Sequence, residues 1–110
     1  MTCEDTTPVR LTWEIQLHEP CSSVWMCRGY GRATTTAQPA DIARAVLAGY
    51  LAATPPRSGE TFRALARPDT GPAVTVTADQ LAGGAWETDT AVRQALPLYL
   101  RDALPERAAG

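Results

Sequence analysis

Arg28-Gly29-Tyr30-Gly31-Arg32 is the densest run of chemistry-bearing residues in the chain. Two guanidinium forks flank a phenol, and such forks grip carboxylates or phosphates through paired hydrogen bonds. The phenol ring adds a stacking plane, and the flanking glycines let a ligand's backbone come close. Arg10 falls on the polar face of a neighbouring predicted strand, and Arg63 and Arg67 share a parity on another. Arg10, Arg28, Tyr30, Arg32, Arg63 and Arg67 are therefore expected on one sheet surface, the candidate binding site. The chemistry is similar to that of sheet platforms that hold single-stranded nucleic acid. Plain solvation competes with this reading. Exposed strand positions are polar in any protein, and Glu14 and Glu60 stand ready to pair with the arginines across strands. A net charge of −2 and a pI near 5.3 are also opposite to the basic footprint of nucleic-acid binders.

His18, Cys21 and Cys27, with Cys3 as a fourth member, are the right ligand types for zinc. His18 and Cys21 span a turn, but Cys21 and Cys27 lack the short knuckle spacing. The favoured reading is three free thiols, with Cys27 in the core and His18 at a strand end; no metal site or cofactor is expected. A Cys–His nucleophile pair, or an acid at Asp79 or Glu87, would be needed for catalysis. No nucleophile elbow, oxyanion loop or phosphate loop accompanies them, and Gly29-Tyr30-Gly31 does not open a helix as a dinucleotide fingerprint would. The chain reads as non-catalytic, with no catalytic residue assigned.

The elements that must position these residues follow from periodicity. Val9, Leu11, Trp13, Ile15 and Leu17 alternate with polar residues through His18, which is a half-buried strand. Glu19 to Ser23 is a turn, and a second strand runs from about Val24 to Ala33. Trp25, Cys27, Gly29 and Gly31 are expected to face inward and Arg28, Tyr30 and Arg32 outward, unless a bulge at a glycine changes the parity. Pro39 stands at a first helical position, Asp41 favours the helix dipole, and the apolar stripe continues to Ala53 before Pro55-Pro56. Thr61 to Arg67 and Ala73 to Thr77 make a second hairpin about a Pro68–Pro72 turn. Thr77-Ala78-Asp79-Gln80 is a capping box for one helical turn stopped at Gly83-Gly84, and Trp86 is expected against the core. Thr90 to Leu104 has helical spacing, capped by Asp89 or Thr90, with a kink or break at Pro97. The order is strand, strand, helix, strand, strand, helix. It predicts a two-layer α+β domain over residues 9–104, a ββαββα fold whose four-stranded antiparallel sheet carries both helices on one face. Residues 1–8 are expected to be a loose tail and residues 105–110 a frayed end.

Composition bounds the function classes. At 110 residues there is room for one small domain. All ten basic residues are arginine, with no lysine, a bias that a GC-rich genome produces without functional pressure. Leu, Ile, Val and Phe total 19 residues, few for a folded chain, but the near-neutral charge argues against disorder. Collagen, charged tails and a membrane span are excluded. Acidic residues near the start and no apolar run behind them point away from a signal peptide and toward a cytoplasmic location. The leading expectation is a small accessory or regulatory protein that binds another protein, or itself as a homodimer. It would do so through an open sheet face or an edge strand, with the first strand a candidate edge. The alternative is a nucleic-acid-binding regulator using the arginine and tyrosine surface.

Overall fold

A computed structural model of the chain describes residues 8–82 and 90–103. Four strands form one antiparallel sheet in the order β2-β1-β3-β4, with β1 at Val9–His18, β2 at Met26–Thr35, β3 at Thr61–Pro68 and β4 at Val74–Thr77. The α+β class and the pair of hairpins match the expectation. The first strand is not an edge: β1 pairs with β2 on one side and β3 on the other. Its regular alternation explains why. Leu11, Trp13, Ile15 and Leu17 are all buried, and a strand with such a continuous apolar stripe is most stable at the centre of the sheet. Opposite them on β3 stand Phe62, Ala64 and Ala66, also buried. The edges are β2 and the four-residue β4.

β2 begins two residues later than its composition suggests and carries an irregularity. Gly29, Gly31, Ala33 and Thr35 face Ile15, Trp13, Leu11 and Val9, so they lie on the core side. Between Ile15 and Gln16 the register slips by one, leaving Arg28 as the extra residue and putting Cys27 opposite Gln16. Cys27 is thus turned to the opposite side from the glycines and is exposed, a correction to its expected inward position. One inserted residue reverses every side chain beyond it, because the strand period is two. The thiol donates to the Gly29 carbonyl across the bulge at 3.8 Å.

Among the described residues the helices cover one face. α1 at Pro39–Ala53 packs over β1, β3 and β4 with Ile42, Ala43, Ala45, Val46 and Leu47 buried. Its start is built as expected, with Pro39 in the first turn and Asp41 accepting from Arg44 at 2.8 Å. Thr35 helps the chain turn into it by accepting the Ala37 N–H at 3.0 Å. α2 at Ala78–Ala82 is the single turn of the capping box, and the Thr77 N–H donates to the Gln80 carboxamide at 2.9 Å. The expected stop at Gly83-Gly84, the position of Trp86 and the Asp89 cap lie outside the described residues, as do Cys3 and both termini.

The last helix is broken in two, α3 at Thr90–Ala95 and α4 at Leu98–Ala103, so the described chain has four helical segments rather than two. Pro97 is the cause. It has no N–H to donate and its ring excludes the carbonyl four residues back. Arg101 compensates by donating to the Leu96 carbonyl at 3.0 Å and to that of Gln94 at 3.4 Å. The break lets α3 lie over β2 while α4 packs on α1, where Gly49 lets the helices close until an added Cβ would stand 2.9 Å from the Leu100 carbonyl oxygen. Among the described residues no helix is long and apolar enough to cross a membrane.

Trp13 is the largest fully buried side chain, and it lies across Gly31 of the neighbouring strand. A Cβ at Gly31 would stand 2.5 Å from Trp13 Cζ2, whereas one at Gly29 would find nothing closer than 3.9 Å. Gly31→Ala is expected to lose about 1–3 kcal/mol by overpacking, a fall of several degrees in Tm, while Gly29→Ala stays within about 0.5 kcal/mol of the parent. Chemical and thermal denaturation of the two variants checks this; equal effects would place the indole elsewhere.

Candidate docking face

The face away from the helices is read row by row from the strand register. The first row is Arg32, Thr12 and Arg67, on β2, β1 and β3. The second is Tyr30, Glu14 and Leu65, continued by Thr75 on β4. The third is Cys27, Gln16, Arg63 and Thr77. Neighbouring strands lie about 4.8 Å apart, so the Arg32 and Arg67 backbones stand roughly 10 Å from each other with only a small threonine between. Five of the six expected residues, Arg10, Tyr30, Arg32, Arg63 and Arg67, therefore share this face.

Arg28 does not join them. As the extra residue of the bulge it lies within reach of Tyr50 of α1, on the helix side. Tyr50 itself packs at a tilt of 47° against the buried Phe62, ring centres 5.6 Å apart. Tyr50, first as a hydrogen-bonding neighbour and then through the charge of its phenolate form, with lesser help from Glu60 and Glu19, raises the arginine's pKa further above its ordinary value. Arg28 thus ties the β2 edge to α1 instead of serving the open face.

Two of the remaining arginines are occupied. Arg10 pairs with Asp69 at 3.6 Å in an exposed ion pair of small energetic weight. Arg63 donates from Nε to Gln16 Oε1 at 2.7 Å, and Gln16 in turn donates to Glu14 at 3.0 Å. The Arg63 guanidinium lies 3.9 Å above the Trp25 ring, and Trp25 packs at a tilt of 48° against His18 with ring centres 5.2 Å apart. This cation–π cluster closes one end of the face. Trp25 is thus neither a core residue nor free, and its position depends on how the hairpin loop folds back, which periodicity does not report.

Among the described residues no carboxylate pairs with Arg32 or Arg67. With Tyr30, Thr12, Glu14, Leu65 and Cys27 they line a depression of about 370 Å³. Tyr30 is 78% exposed and forms its rim, and Leu65 is half-buried in its floor. Thr12 and Glu14 were legible as face residues from the β1 alternation; Leu65 shares the parity of Arg63 and Arg67. The arrangement can hold an anion between two forks beside an aromatic plane and a small apolar floor. Of the expected metal and nucleophile candidates, His18 is packed on Trp25, while Cys21 and Cys27 are exposed and unpaired with each other. Among the described residues no three His, Cys, Asp or Glu side chains are grouped to hold a metal ion. No protein family, no curated protein and no solved structure matches this chain.

The Arg63–Trp25 contact is measurable. A double-mutant cycle of Arg63→Ala and Trp25→Ala is expected to give a coupling of about 0.5–1 kcal/mol in chemical denaturation. Additive effects would mean that the ring does not cap the guanidinium.

Proposed function

We propose that the protein is a small, non-catalytic binding module that docks an acidic segment of a partner protein on its open sheet face. The observation that carries this reading is the row Arg32–Thr12–Arg67 beside Tyr30 and Leu65, two guanidiniums that line one depression and have no carboxylate partner among the described residues. Each fork can take one carboxylate of an acidic segment laid across the row, and the tyrosine and leucine suit an apolar side chain beside them. A second copy of the chain brings the same arginines to the face and is the less complementary partner. A nucleic acid would meet the same row, but the overall acidity of the chain repels a polyanion beyond it.

Fluorescence anisotropy separates these partners. The probes are a labelled peptide alternating Glu and Leu, its Lys–Leu counterpart, and a single-stranded DNA oligonucleotide of about 20 nucleotides. The acidic peptide is expected to bind, and Arg32→Glu and Arg67→Glu are each expected to weaken it by about tenfold at low salt. Binding of the oligonucleotide with a steep salt dependence, and none of the peptide, would replace this reading with the nucleic-acid one. Indifference to both charge reversals would remove the face as the site.

A further inference from the structure

The outer edge of β2 offers a second kind of contact. Among the described residues no strand pairs with it, although β2 runs for ten residues and its backbone donors and acceptors on that side need partners. The other edge, β4, is blunted by being four residues long and running into α2. Along the core side of β2 the glycines contribute no side chains, and Trp13 fills only the space over Gly31. A notch of about 340 Å³ remains between that strand and the α3–α4 break, lined by Trp13, Gly31, Ala95, Leu96, Pro97 and Tyr99. Tyr30 and Arg32 of β2 also line it, and Tyr99 in its wall is 58% exposed. Trp13 Nε1 is buried and finds no acceptor among the described residues.

We infer that β2 takes up an extended acidic segment of a partner protein as a fifth strand, an inference that rests on the docking reading above. Charge chooses the occupant. The usable stretch of β2, from Gly29 to Thr35, carries Arg32 and no carboxylate, so a second copy of the strand would set cation against cation. An acidic strand is complementary. Successive side chains of a strand point to opposite faces, so its acidic residues lie beside Tyr30 and Arg32 while the residues between them point toward the notch. One of those is a large apolar side chain seated between Gly31, Leu96, Pro97 and Tyr99. Main-chain hydrogen bonds then supply affinity, and the notch and the arginine supply selectivity. The bulge at Arg28 ends the usable edge, because it twists the strand and spoils the ladder beyond Gly29.

The test uses the full chain and a random dodecapeptide library. The expected consensus alternates Asp or Glu with a large apolar residue. The best peptide is then made in two forms, N-methylated at odd or at even positions. One form is expected to bind at least about tenfold more weakly and the other nearly unchanged, since only alternate amides face β2. Tyr99→Ala is expected to weaken the parent peptide about tenfold and to leave unchanged a peptide whose notch residue is alanine. Equal binding of the two methylated forms, with Arg32→Glu and Arg67→Glu still disruptive, would overturn strand addition and leave docking on the face intact. A methylation effect with no response to Tyr99→Ala would overturn the notch as the side-chain site. Failure to enrich any peptide above a protein-free control would overturn both readings.

Discussion

The contact between Trp13 and Gly31 is the constraint on which the rest of the structure depends. An indole buries about 150–250 Å², worth on the order of 4–6 kcal/mol when removed from water. The unpartnered Nε1 costs about 1–3 kcal/mol of that, so burial wins and the ring stays in. The ring fits only because β2 has no side chain at residue 31. Three things follow. β1 is held at the centre of the sheet, since its tryptophan reaches over one neighbour while its partners on β3 are covered by α1. β2 is left thin on its core side. And the segment that Pro97 breaks into α3 and α4 covers part of what the tryptophan does not.

That thinness connects the core to the surface. A strand whose inward positions are Gly29, Gly31 and Ala33 adds little to the core by itself and is held by its ladder to β1 and by Arg28 reaching Tyr50. Its outward positions, Tyr30 and Arg32, are then available to face a partner, and its far edge has no strand beside it among the described residues. Arg63, Gln16, Glu14 and Trp25 bind one another at one end of the open face, and Arg10 binds Asp69 at the other. Arg32 and Arg67, which no carboxylate pairs with among the described residues, lie between these ends. The face is therefore not a uniform polar surface but a short unsaturated stretch between two saturated ones.

Much of this was legible in the residues. The ten-residue alternation of β1, the proline that opens α1, the capping box at Thr77 and the break at Pro97 each carry a local physical signal strong enough to read without neighbours. The parity of β2 was not, because two glycines erase the apolar-polar alternation and one bulged residue reverses it. The strand order was hidden as well. Each hairpin is a local object, and which strand of one meets which strand of the other is decided by matching apolar stripes across the sheet. The same gap misplaced Arg28, whose partner on α1 is 22 positions away, and Trp25, whose position is set by the folding of a turn.

Native-state hydrogen exchange of the free full-length chain tests the central claim, that the tryptophan–glycine contact holds a thin β2 in the sheet with its outer edge open. The account predicts alternation along Gly29–Thr35: amides directed at β1 are protected and the intervening ones exchange orders of magnitude faster. Uniform protection along β2, equal to that of β1, would contradict it.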